Sequence, residues 1–146
     1  MEVLPHPSKV SFADLDAFKS VNDVHGHQMG DEVLRQTGRA LTQRCRDFDT
    51  PARYGGEEFA CLLSETDIHG ATTTAEKIRE SIRREPFGTD NGTPLHMTVS
   101  IGIASYPEHG ESFVSLIEAA DKALYRAKQT GRNRVCVAER PLRLAT

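Results

Sequence analysis

The chain has 146 residues, 38% of them hydrophobic and 27% charged, with a formal net charge of -3. That length suits one domain with a proper core and is short for two. The acidic balance argues against a general nucleic-acid surface, which needs a basic excess to displace counterions, and no apolar run reaches transmembrane length.

Residues 1–9 carry two prolines, no periodicity and no signal-peptide pattern, and read as a loose lead-in. Residues 10–15 alternate as a short strand that ends in acids. Asp16 then reads as the N-cap of a helix over 17–24, halted at Gly26. Val33, Leu34, Thr37, Leu41 and Cys45 recur at helical spacing and predict a second helix over 31–45. Pro51 breaks the chain, after which Arg53-Tyr54 and residues 59–63 flank a glycine pair as a hairpin. Ala71, Ala75, Ile78 and Ile82 mark one face of a helix over 68–84. Residues 95–105, rich in Val, Ile and Thr, predict a continuous strand. A helix over 113–128 follows, with Phe113, Leu116, Ala120, Ala123, Leu124 and Ala127 in period, and Gly131 stops it. Residues 134–137 form a last strand, and 139–146 read as a frayed tail. This order predicts an α/β (α+β sandwich) fold, a central mixed sheet surrounded by helices, over residues 10–138. Cys45, Cys61 and Cys136 are odd in number and widely spaced, which reads as reduced, buried thiols of a cytoplasmic protein.

The segment Gly55-Gly56-Glu57-Glu58 stands out. Two glycines let a backbone approach a ligand closely, and adjacent carboxylates repel each other unless a cation sits between them. Oxygen ligands beside phosphate are the usual Mg²⁺ arrangement. Asp14 and Asp16 end the first strand where a helix begins, so pairing of that strand with the hairpin brings Asp14 and the glutamates to one sheet edge. Amides of residues 17–19 then offer a helix N-terminus to phosphate. Lys128 and Arg132 close the last helix and supply positive charge for outer phosphates. Together these features suggest phosphoryl or nucleotidyl transfer. Each also has a plainer use: a solvated hairpin, a strand end and N-cap, or cations suited to a helix C-terminus. His25 and His27, with no third ligand nearby, favour a structural role.

Gly55-Gly56-Glu57-Glu58-Phe59 resembles the GGDEF/GGEEF motif that names the diguanylate cyclase domains. The segment from Asp14 through Phe18, Lys19, Asn22, Asp23, Gly26, His27, Gly30 and Asp31 is similar to the family's D-x-D-x-F-K-x-x-N-D…G-H-x-x-G-D block in order and spacing. The stretches 100–103, 120–128 and 131–133 resemble its later blocks. The resemblance implies a nucleotidyl-cyclase-like fold and the condensation of two GTP into cyclic di-GMP and two pyrophosphates. It implies Asp14, the Leu15 carbonyl, Glu57 and Glu58 as ligands of Mg²⁺ (or Mn²⁺), with Glu57 as acceptor of the ribose 3′-hydroxyl proton. Asn22 and Asp31 are implied as readers of the guanine edge, since an Asp accepts from guanine N1 and N2 while an Asn amide donates. Phosphates fall to the amides of Phe18 and Lys19 with Lys128 and Arg132, and His27 serves orientation. Arg46-x-x-Asp49 resembles the family's inhibitory R-x-x-D site for cyclic di-GMP, with Lys77 as a secondary basic contact; Arg forks suit guanine and phosphate. The resemblance further implies catalysis as a homodimer and an upstream sensor domain; charge and the short apolar runs separately argue against a nucleic-acid or membrane partner for this segment. Residues 1–9 depart from the pattern: they lack the L-T-G-L-x-N-R helix with which family members begin. A module that binds GTP or cyclic di-GMP without turnover is the alternative; the complete set of acids and bases favours an enzyme.

Overall fold

Alternation along the strands sends side chains to two separate cores, one on each face of a single sheet. The computed structural model describes residues 8–45, 49–53, 55–64, 66–88 and 94–140. In chain order these form β1 (Ser8–Leu15), α1 (Phe18–His25), α2 (His27–Arg44), β2 (Thr50–Arg53), β3 (Glu58–Ser64), α3 (Ile68–Arg84), β4 (Val99–Tyr106), α4 (Phe113–Gln129) and β5 (Val135–Val137). The sheet order is β2-β3-β1-β4-β5, antiparallel except for the β4–β5 pair. The expected mixed sheet with surrounding helices is the fold observed.

On one face Ala13 and Leu15 of β1, Phe59, Cys61 and Leu63 of β3, and Val99, Ile101 and Ile103 of β4 meet the apolar stripes of α1, α2 and α3. On the other, Val10, Phe12 and Ala104 meet Leu116, Ala120, Ala123 and Leu124 of α4. The helix starts are built locally: Asp67 accepts from the Gly70 N–H at 2.7 Å, and Ser112 with Ser115 forms a capping box. Close packing of α4 depends on Gly102. A Cβ there would lie 2.3 Å from both the Ala120 carbonyl oxygen and the Leu124 nitrogen, backbone atoms that cannot step aside. Gly102→Ala is therefore expected to destabilise the domain by about 1–3 kcal/mol, read as a lower denaturant midpoint at unchanged slope.

Four expectations need correction. Asp16 is no N-cap: Ala17, in a left-handed conformation (φ 58°), caps α1 without a side-chain bond, and Asp16 turns inward. The second helix begins at His27, because Gly26 (φ 90°) turns the chain in a single residue that ends α1 and starts α2. Pro51 lies inside β2, which sits at the sheet edge, where a missing N–H costs no ladder bond. The strand expected over 95–105 starts only at Val99. Its partner β1 ends at Leu15, so upstream residues have no strand beside them, and Leu95 instead bridges Phe87. Cys45, Cys61 and Cys136 form no disulfide.

Candidate functional site

Strand register sets the first half of the site. Asp14 faces Glu58 across β1 and β3 and Ser100 across β1 and β4, so acids from two distant segments do share one end of the sheet. Burial, then the charge of Asp14 and a hydrogen bond with it, push the Glu57 carboxyl above its ordinary range, against the opposing pull of Lys128. Glu58 is raised likewise, by burial and then by Asp14 and Asp121.

The glycine pair just before them is not demanded by the fold. Neither Gly55 nor Gly56 has a positive φ, and a Cβ on either would meet nothing within 4 Å. What the two glycines leave is open space in front of a turn that Arg53 holds from behind. The Arg53 guanidinium donates to the Gly55 carbonyl at 3.2 Å and to the Gly56 carbonyl at 2.7 Å. A ligand approaching the backbone uses such space.

Beside the turn lies a cleft of about 430 Å³ lined by Phe18, Lys19, Asn22, His27, Asp31 and Glu57, together with Leu34, Arg53 and Gly56. Six of the residues that the sequence motifs mark thus border one cavity; Leu34 and Arg53 border it unmarked by any motif, although Arg53 stands two positions before the glycines. The first turn of α1 opens into this region with no side-chain cap on its amides. Against Asn22, Gly30 lets α2 pass so close to α1 that a Cβ there would lie 1.9 Å from Asn22 Oδ1.

Lys128 reaches the acids rather than open solvent. Its Nζ lies 2.8 Å from Asp14 Oδ1, 2.9 Å from Asp16 Oδ1 and 3.4 Å from the Leu15 carbonyl oxygen. Asp16 is the knot behind it. Its carboxylate accepts from Thr98 Oγ1 and Ser100 Oγ, both at 2.7 Å, and from the Asn133 N–H at 3.0 Å. Burial alone would raise its pKa, but these bonds and Lys128 together hold it below the ordinary carboxylate range. Arg132 is exposed past α4 with φ 64°, its N–H on the Ala127 carbonyl at 2.9 Å, and is not among the residues lining the cleft.

The donor set fits a hard divalent cation. Among the described residues no three acidic, His or Cys side chains form a ready metal cage. Mg²⁺ needs none, since it commonly takes one or two carboxylates and completes its shell with water and substrate phosphate. Of the residues expected at an inhibitory site, Asp49 is buried ahead of β2 and Lys77 is exposed on α3. Arg46 lies outside the described residues. No described helix is long and apolar enough to cross a membrane.

The family profile described as diguanylate cyclase, GGDEF domain, matches residues 3–134. A Bacillus subtilis protein termed uncharacterized YhcK is 46% identical over 129 residues, which cover 88% of this chain and 36% of that protein. Diguanylate cyclase A of Treponema denticola is 44% identical over 129 residues, covering 88% of this chain and 34% of the relative. The chain thus spans about a third of the length of these relatives. Among solved structures, the GGDEF domain of DgcB from Caulobacter crescentus in complex with c-di-GMP superposes with a TM-score of 0.85 at 36% identity, covering 90% of this chain and 77% of that one.

Proposed function

The chain belongs to the GGDEF family of diguanylate cyclases, and from that membership we propose that it joins two GTP molecules into cyclic di-GMP with release of two pyrophosphates. The observation that carries this reading is the meeting of Asp14 with Glu57 and Glu58 beside a cleft bordered by Asn22, Asp31 and Lys19. Asn22 and Asp31 are the readers of guanine, one donating and the other accepting. The amides of Phe18 and Lys19 at the uncapped start of α1 hold phosphate oxygens. His27 orients the nucleotide from the cleft wall, and Lys128 and Arg132 add positive charge.

Asp14, the Leu15 carbonyl, Glu57 and Glu58 are the residues that would hold Mg²⁺ or Mn²⁺, which supplies charge neutralisation on the phosphates when bound. Glu57 takes the proton of a ribose 3′-hydroxyl as that oxygen attacks the α-phosphorus of the second GTP; the bond to pyrophosphate breaks as the new ester forms. A carboxyl held above its ordinary range is a better proton acceptor than an unperturbed one. One chain holds one nucleotide, so two chains must face each other to complete a turnover, and proximity is most of what they provide. Feedback by the product at Arg46, Asp49 and Lys77 is part of the same proposal, supported by the relative solved with c-di-GMP.

Incubation with GTP and Mg²⁺, followed by chromatography, tests the reading. Cyclic di-GMP should form, with a rate per chain that rises as the protein is concentrated. Bound GTP that never turns over, even in concentrated protein, would favour the binding module instead. A second test separates binding from folding. Gly30→Ala displaces the Asn22 amide, the movable end of a side chain, so GTP affinity should fall about tenfold, worth about 1.4 kcal/mol. The melting temperature should stay near that of the parent, since Ala is the better helix former. Calorimetric titration and a thermal melt read the two effects.

A further inference from the structure

Cys45 ends α2 and Cys61 sits in the middle of β3, sixteen positions away in sequence, yet their sulfurs are 3.4 Å apart. Cys61 is buried and Cys45 partly exposed. Both line a cavity of about 830 Å³ between α2, α3 and the edge of the sheet, walled by Leu34, Leu41, Phe59 and Ile78. A pair of small apolar side chains would fill the core equally well, but only two thiols in contact can be joined by oxidation.

We propose that Cys45 and Cys61 form a reversible dithiol–disulfide site, oxidised through this cavity by a low-molecular-weight disulfide of the glutathione class. The more exposed Cys45, as its thiolate, attacks one sulfur of the oxidant and expels one reduced glutathione thiolate, leaving a mixed disulfide on Cys45. The Cys61 thiolate then attacks Cys45 Sγ and expels the second. The two protons lost from the protein thiols end on the two glutathione thiols, so the protein loses two electrons and the oxidant gains them. The sulfurs must close from 3.4 Å to a bond of roughly 2 Å. Cys45 allows this, since it stands at the helix end, where its N–H accounts for only the last bond, to the Thr42 carbonyl. The new bond would close the segment that carries Asp49, β2 and the Gly55–Glu58 turn, tying the end of α2 to β3.

Cys136 packs on the opposite face of the sheet and serves as an internal control. The full chain is treated with oxidised glutathione under native conditions, remaining thiols are alkylated, and a non-reduced digest is read by mass spectrometry. The expected product links the Cys45 and Cys61 peptides, leaves Cys136 alkylated, reverts with dithiothreitol, and melts several degrees above the reduced form. Cys61→Ser should stop at the glutathione adduct on Cys45, and Cys45→Ser should leave Cys61 unmodified. A parent chain that itself stops at the adduct, that oxidises first at Cys136, or that resists until denatured would overturn the proposal. The readout is covalent and needs no GTP turnover, so its failure and that of the cyclase reading are separable.

Discussion

Glu57→Gln should lower cyclic di-GMP formation by about a thousandfold or more while leaving a folded domain. The substitution keeps the shape of the side chain and removes both its charge and its capacity to accept a proton. Glu57 is the member of the acidic cluster that also borders the cleft proposed for the nucleotide, so one change should strike proton transfer and cation binding together. Its effect on stability runs the other way. Burial and Asp14 raise the folded-state pKa above the unfolded value of 4.5, so this group's favourable contribution is full below pH 4.5 and is lost as pH rises through the folded pKa. At neutral pH and without divalent cation, an ionised Glu57 opposes folding. Glutamine removes that opposition, and the melting temperature should rise or hold. An inactive variant that also melts lower would show unfolding rather than lost chemistry. Opposed shifts of activity and stability are what a functional carboxylate produces.

Asp16→Ala should have the largest effect on stability, about 3–5 kcal/mol, because it strips one partner from a buried ionic cluster and leaves the others unpaired. Thr98, Ser100, Lys128 and the Asn133 N–H all donate to this carboxylate, joining β1, β4, α4 and the turn before β5. The folded-state pKa lies below the unfolded 3.8, so the stability that Asp16 contributes is present above pH 3.8 and lost as pH falls through the folded value. Denaturation at pH 7 therefore reads the full loss. Asp16→Asn should recover only part of it, since its NH₂ faces donors and keeps a single acceptor oxygen. The release of Lys128 from Asp16 should also weaken nucleotide binding, which calorimetry on any folded fraction would detect.

Much of the site was legible because its residues sit in short, dense motifs. Phe18, Lys19, Asn22, His27 and Asp31 lie within fourteen positions on two successive helices, so local periodicity brings them to one cleft almost unaided. The role of Asp16 was not legible, because its hydroxyl partners Thr98 and Ser100 come 82 and 84 positions later and only the β1–β4 register brings them together. The same holds for Lys128, whose pairing with Asp14 depends on where α4 settles across the sheet. Pro51 misled for a different reason: proline forbids a central strand, and nothing local says that β2 is an edge. Cys45 and Cys61 looked separate because spacing along a chain carries no information about contact across α2 and β3.

The most direct test is a titration with manganese, followed by electron paramagnetic resonance, in the presence of a non-hydrolysable GTP analogue. If β1 and the Gly55–Glu58 turn share one cation, Asp14→Asn and Glu57→Gln should each weaken manganese binding by at least about tenfold, and the double variant should be little worse than either alone. Manganese bound by Asp14→Asn as tightly as by the parent chain would contradict a shared site.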